Sequence, residues 1–169
     1  ILPSETADFR MRIFNADGRE AKMCGNGIRC VGKYVFDKGY TDKKNLDIET
    51  LSGIKHLQMK TCAGKVYEVT VNMGKAVVDE PVALETPNGT FTAIPVNVGN
   101  PHIVIFVDDA EAIPLETFGR PLERHPNFPD GVNVEFVQVI DPQTLRMRVW
   151  ERGSGITLAC GTGACASTA

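Results

Sequence analysis

Two short elements of the chain carry residue types that can do proton chemistry. Cys24-Gly25-Asn26-Gly27 is matched, 136 residues later, by Cys160-Gly161-Thr162-Gly163. Each leads into helical sequence and is followed by a second cysteine, Cys30 and Cys165. Glycines after the cysteine let the backbone turn sharply into a helix without a Cβ clash. The first turn of that helix has amides without intrahelical partners and the positive end of the dipole. Such a position is expected to bind an anion, for instance a carboxylate, and to lower the pKa of the adjoining thiol. One cysteine beside a packing turn is ordinary, because free cysteine is among the most buried residue types. Burial alone does not explain the same device twice, which suggests two related halves presenting equivalent thiols.

Two thiols acting on one carbon have a natural use. Inverting a stereocentre alpha to a carboxylate needs a base on one face and an acid on the other. Cysteine serves as either, provided its pKa lies near the operating pH. Anion-binding helix ends would hold the carboxylate and stabilise the enolate-like charge that develops on proton removal. A pyridoxal enzyme would need a Schiff-base lysine and a phosphate site, and no Gly-rich phosphate loop of the usual kinds is present. The pairs C-x5-C and C-x4-C do not match the tighter spacing of structural zinc sites, so no metal is expected. Five cysteines, an odd number, read as reduced thiols in a cytoplasmic protein rather than as a disulfide framework. A redox thiol protein is the non-enzymatic alternative. It would not require an anion-binding turn at each cysteine, and no C-x-x-C occurs.

The elements that must position these thiols are mostly strands. Phe9, Met11 and Ile13 alternate with Arg10 and Arg12, and Tyr67, Val69, Val71 and Met73 with Glu68, Thr70 and Asn72. Further strands are expected over Phe91–Val98, His102–Val107, Val134–Ile140 and Leu145–Trp150, with Arg10, Arg12, Arg146 and Arg148 as solvated surface groups. Ile28, Val31, Val35 and Phe36 have helical spacing, with Gly39 as the stop. Leu115, Phe118 and Leu122 suggest a shorter helix broken by Pro121, and a third opens at Gly161. Few helices among antiparallel-type strands is an α+β pattern. The join near Asn72-Met73 divides the chain into 1–72, carrying Cys24, and 73–169, carrying Cys160.

Composition narrows the partners. The net charge of −3 is no footprint of a nucleic-acid binder. No apolar run approaches the ~18 residues of a membrane span. Apolar residues make up 43% and charged residues 23%, as in ordinary globular chains.

The run from Asn15 through Lys22-Met23-Cys24-Gly25-Asn26-Gly27-Ile28-Arg29-Cys30 resembles the signature of the diaminopimelate epimerase family. So does the run from Glu151-Arg152-Gly153-Ser154-Gly155 to Cys165. Gly99-Asn100-Pro101-His102 and Gly131-Val132-Asn133-Val134 between them also match the family pattern. The resemblance implies interconversion of LL- and meso-diaminopimelate in lysine biosynthesis, with Cys24 and Cys160 as the two acid/base residues. It implies two pseudo-symmetric halves, each a curved, mostly antiparallel sheet around a central helix. It further implies no cofactor and a homodimer when the chain is full length. Gly25, Asn26, Gly161 and Thr162 would then meet the carboxylate at the reacting carbon. Arg152 would pair with the distal carboxylate, a bidentate task suited to a guanidinium. Asn15, Asn100 and Asn133 would read the far amino-acid end. Glu151 would bind substrate and, with His102, tune the thiols. Proline and hydroxyproline racemases share the Cys-Gly-x-Gly element. The Glu151-Arg152-Gly153 run and the asparagines favour a substrate with a second amino-acid end.

Two departures stand out. Nothing in Ile1–Ala7 resembles the His-Gly-x-Gly-Asn-Asp-Phe-like opening of the family, and its closing strands do not follow Cys160. The chain therefore reads as an internal fragment, expected to be poorly stable or inactive alone, with unpaired sheet edges. Ile156 also stands where the family commonly has an acidic or amide residue.

Overall fold

A computed structural model describes residues 1–15 and 18–169. Ala16 and Asp17, part of the first signature, lie outside the described residues. The chain divides into two compact units, Ile1–Gly74 and Lys75–Ala169.

The first unit runs β1 (Phe9–Arg10), β2 (Ile13–Phe14), β3 (Glu20–Ala21), α1 (Gly25–Asp37), β4 (Asn45–Thr50), β5 (Gly53–Cys62) and β6 (Lys65–Asn72). Its four-stranded sheet has the order β1-β4-β5-β6, and β2-β3 is a separate hairpin. The strand expected over Phe9–Ile13 is split because the chain changes partner. β1 runs parallel to β4, Phe9 opposite Ile48, whereas Ile13 pairs with Ala21 of β3. Arg12 locks that hairpin with two 2.8 Å hydrogen bonds to Glu20, its guanidinium 5.0 Å above the Phe14 ring. It is therefore more than a solvated group.

Helix α1 buries Ile28, Val31, Gly32 and Val35 against a core with Leu46, Ile48, Leu57, Met59 and Val66. It ends as its sequence demands. Gly39, at φ +75, donates to Phe36 O at 3.0 Å, and Tyr40 N–H reaches Val35 O at 2.9 Å, so the last carbonyls are satisfied. Tyr67 departs from the expected alternation. The register slips between Lys60 and Thr61, with Glu68 and Val66 as their partners. Tyr67 is the extra residue of this bulge and is exposed, while Val66 takes the core position.

The second unit runs β7 (Val77–Val78), β8 (Val82–Thr86), β9 (Gly89–Asn97), β10 (Pro101–Phe106), α2 (Leu115–Glu123), β11 (Asn133–Asp141), β12 (Thr144–Glu151), β13 (Gly155–Thr157) and α3 (Gly161–Ser167). The sheet order is β13-β12-β11-β10-β9-β7, with β8 also pairing β9. Neighbours are antiparallel except β10 and β11, which run parallel with His102 opposite Asn133. A parallel pair needs a crossover, and the segment holding α2 supplies it. Ile103, Ile105, Val134 and Phe136 pack with Leu115 and Leu122 of α2. Val104 and Val137 pack with Ala166 of α3. β10 and β11 are thus covered on both faces, which explains their near-continuous apolar sequence.

Pro121 does not break α2, which runs on to Glu123. Proline removes the N–H that would reach the carbonyl four residues earlier, here that of Thr117. Asn88 fills the vacancy, its Nδ2 donating to Thr117 O at 2.8 Å. Asn88→Ala is expected to lower unit stability by about 1 kcal/mol, the net worth of such a bond. Pro121→Ala in that background should recover much of it, as chemical denaturation would show. Arg148 is also no surface group: its Nη1 donates to the carbonyls of Ala110, Glu111 and Ile113 at 2.9–3.3 Å. Arg10 and Arg146 reach Glu49 and Glu111 only at 3.7 and 3.9 Å.

Candidate active site

Each Cys-Gly-x-Gly element folds into the start of a helix with the cysteine as N-cap. Cys24 has φ −142 and ψ 111, and its Sγ accepts Gly27 N–H of α1 at 3.3 Å. Cys160 has φ −122 and ψ 110, and its Sγ accepts Gly163 N–H of α3 at 3.3 Å. The sulfur takes the place of the usual serine or aspartate oxygen. Intrahelical bonding begins with Ile28 N–H to Cys24 O at 2.9 Å and with Ala164 N–H to Cys160 O at 3.0 Å. The echo read in the sequence is therefore an echo of geometry, down to the capped amide.

The surroundings of the two thiols differ. Cys24 is half-buried, while Cys160 is buried. Desolvation pushes the Cys160 thiol up to about 11, assisted by the charges of Glu151 and Glu135 and opposed by Thr162 and Gly163. The expected acidification does not prevail at this cysteine. A helix end supplies about 0.3–1 kcal/mol, less than the ~1.4 kcal/mol that one pKa unit represents. Helix α3 has only seven residues. Burial wins.

A pH dependence follows. The unfolded thiol titrates near an ordinary cysteine's 9.0 and the folded one near 11. Between those values the unfolded state has fewer protons, so stability falls as pH rises. The contribution is complete below pH 9 and is lost on passing 11. Alkylation of Cys160 by iodoacetamide, followed by peptide mass spectrometry, is expected to accelerate tenfold per pH unit up to about pH 11. A plateau near pH 8 would contradict it.

Around Cys160 a short polar relay forms. Asn100 Nδ2 donates to Thr162 Oγ1 at 3.3 Å, and that hydroxyl lies 3.4 Å from Cys160 Sγ. Asn100 Oδ1 is buried with no hydrogen-bond partner among the described residues. Asn133 has both ends of its amide on the backbone. Nδ2 donates to Pro101 O at 2.9 Å, and Oδ1 accepts Arg152 N–H at 3.0 Å. It thereby ties β11 to the Glu151–Ser154 turn. Arg152 lies across Gly131, where a Cβ would come within 3.0 Å of its Cδ, and donates to Asp130 O and Gly131 O. Glu151 accepts the hydroxyl of Thr157. Its charge raises the Cys160 thiol. Ile156 is exposed on β13. In the first unit Asn15 closes a turn with Arg19, its N–H to Arg19 O at 2.9 Å, and Asn26 Oδ1 accepts from Arg29.

Two buried acids were missed in the sequence. Glu123 accepts Trp150 Nε1–H at 2.7 Å and Gly153 N–H at 2.9 Å, clamping both ends of the turn that carries Arg152. Glu135 sits in β11 with its Oε1 2.7 Å from His102 Nδ1, neither side chain exposed. Burial pushes its carboxyl above the usual range, against the pull of the His102 hydrogen bond. The signal was available: Glu135 is the one acid in the Val134–Val137 run, which is otherwise apolar. Among the described residues no group of side chains could hold a metal ion, and no helix is long and apolar enough to cross a membrane.

The sequence model of the diaminopimelate epimerase family matches residues 1–78 and 94–169. The chain belongs to the diaminopimelate epimerase family. The diaminopimelate epimerase of Phocaeicola vulgatus is 55% identical over 97% of this chain and 63% of its own length. That of Parabacteroides distasonis is 57% identical, over 97% and 61%, and that of Acetivibrio thermocellus 51%, over 98% and 64%. The chain thus spans a little under two thirds of these family members. Among solved structures, a hydroxyproline epimerase from Agrobacterium vitis superposes with a TM-score of 0.76 at 22% identity, covering 99% of this chain and 57% of that one. A probable proline racemase from Agrobacterium radiobacter gives 0.76 at 20%, covering 94% and 55%. At such identities the likeness concerns the fold, the α+β architecture that the diaminopimelate epimerase signatures imply.

Proposed function

We propose that the protein interconverts LL- and meso-2,6-diaminopimelate, with Cys24 and Cys160 as the acid/base pair. The observation that carries this reading is the repeated device: one thiol N-cap in each unit, in equivalent backbone geometry, each within a family signature. One sulfur, as thiolate, takes the α-proton as the Cα–H bond breaks. The other, as thiol, gives a proton to the opposite face of the carbanion. Each turnover leaves the roles exchanged, and no electron changes hands. Because the reaction runs both ways, neither role is fixed: each sulfur is the base for one stereoisomer and the acid for the other. Amides and the Thr162 hydroxyl at the helix starts stabilise the enolate-like charge.

In this reading Arg152 and Asn15, Asn26, Asn100 and Asn133 serve the two amino-acid ends, the last through the turn it holds. Gly25, Gly161 and Glu151 complete the substrate contacts, and His102 acts beside the thiols. One thiol then belongs to each half, Cys24 to 1–72 and Cys160 to 73–169. The substrate is a free small molecule of lysine biosynthesis, the place of action the cytoplasm, and the whole enzyme a homodimer needing no cofactor. Incubation of the full-length enzyme in deuterium oxide tests the reaction: diaminopimelate should gain deuterium at its α-carbons while proline and 4-hydroxyproline do not. Exchange into proline in place of diaminopimelate would transfer the assignment to a proline racemase.

A further inference from the structure

Glu135 occupies the middle of β11, whose residues Asn133–Val137 are all buried. Its Oε1 meets His102 Nδ1 at 2.7 Å, while Glu135 Oε2 and His102 Nε2 have no hydrogen-bond partner among the described residues. Removing a carboxylate from water costs several kcal/mol, and an apolar residue of similar volume would fill the place without that cost. The carboxyl also lies against the thiol-bearing helix. A Cβ at Gly163 would come 2.6 Å from Glu135 Oε1 and 3.3 Å from Cys160 Cβ, and Gly163 donates the amide that caps the Cys160 sulfur. Histidine, carboxyl and capped turn form one packed group on the α3-facing side of the sheet.

We propose that Glu135 is a positioning residue. Its carboxylate accepts the Nδ1–H of His102, fixes the ring beside the first turn of α3, and confines the proton exchange of the imidazole to Nε2. A histidine so held has one tautomer, with Nε2 as its open acceptor. Asn100 Oδ1, also buried with no hydrogen-bond partner among the described residues, lies just ahead of β10, two residues before His102. The catalytic consequence rests on the epimerase reading; the tautomer does not.

The test therefore has two arms. Long-range proton–nitrogen spectra, with His102 assigned by its loss in His102→Gln, are expected to show a protonated Nδ1 and an unprotonated Nε2 in the parent protein. Glu135→Leu should yield a tautomer mixture, and Glu135→Gln, which keeps an acceptor oxygen, the parental pattern. Nε2–H in the parent, or an unchanged pattern in Glu135→Leu, overturns the proposal. In the kinetic arm Glu135→Leu is expected to lower kcat for diaminopimelate ~10²-fold, the low end of acid–base contributions, with KM within twofold and Glu135→Gln restoring most of the rate. Parental kcat in Glu135→Leu likewise overturns it. Absence of diaminopimelate turnover in the full-length parent enzyme would sink the epimerase reading and leave the spectra to decide on Glu135. If Glu135→Leu does not fold, the parent and Glu135→Gln spectra decide alone.

Discussion

Cys160→Ser is expected to reduce epimerisation by at least ~10³-fold, within the range of positioned acid–base groups, while leaving the fold intact. Serine keeps the N-cap, because its hydroxyl accepts the Gly163 amide at least as well as sulfur does. What it loses is a proton that can be given up and recovered within a turnover. Cys24→Ser should do the same from the other unit, where Gly27 is the capped amide. The two variants should not fail identically. Each retains one competent thiol, so α-proton exchange should survive for one substrate stereoisomer in Cys24→Ser and for the other in Cys160→Ser. Deuterium incorporation measured separately on each stereoisomer reads this directly. Full turnover in either variant would exclude a two-thiol mechanism, and identical total loss in both would weaken the division of faces.

Gly119→Ala should be among the most destabilising single changes in the second unit, by about 1–3 kcal/mol, as for other overpacked cores. The sign is opposite to that of an exposed helical site, where alanine improves on glycine by roughly 0.5–1 kcal/mol. At Gly119 a Cβ would lie 2.6 Å from Trp150 Cγ and Cδ2 and 2.7 Å from its Cβ. Trp150 cannot swing aside, because its indole N–H is held by Glu123 and its Cβ is fixed by β12. Helix α2 must lift instead, loosening the contacts of Leu115 and Leu122. For a unit of this size each kcal/mol corresponds to roughly 4–8 °C in Tm, a shift that calorimetry resolves easily. Gly32→Ala is the control. Its Cβ would meet the far end of Leu57, Cδ2 at 2.8 Å, and a rotamer change there absorbs most of the strain. Equal losses at both sites would contradict the account.

How much of this was legible beforehand depends on whether a local pattern or a distant partner decides the residue. The two helix starts were readable because a cysteine followed by small residues forms its own cap, using only backbone within three positions. The core face of α1 was readable from periodicity, and β10 from its continuous apolar run. The bulge at Tyr67 was not, since one residue of register is set by β5 and leaves no trace in β6 alone. Nor was the survival of α2 past Pro121, which depends on Asn88 in another element. The thiol of Cys160 was misjudged for the same reason. The helix dipole is local and visible in the sequence, whereas the burial that overrides it is assembled from β10, β11 and α3. Arg148, Glu123 and Glu135 belong with it: each charged group is explained by partners about thirty or more residues away.

The parallel pairing of β10 with β11 has a consequence during synthesis. Strand β10 ends at Phe106 and its partner opens at Asn133, beyond the crossover. At about 5–20 residues per second, the ribosome needs roughly 1–5 s to supply it. Through that interval the nascent chain holds Pro101-His102-Ile103-Val104-Ile105-Phe106 as an edge strand that carries no side-chain charge beyond a histidine, able to pair with any similar strand nearby. On a crowded polysome, yield should therefore depend on how well chaperones shield this stretch until β11 arrives.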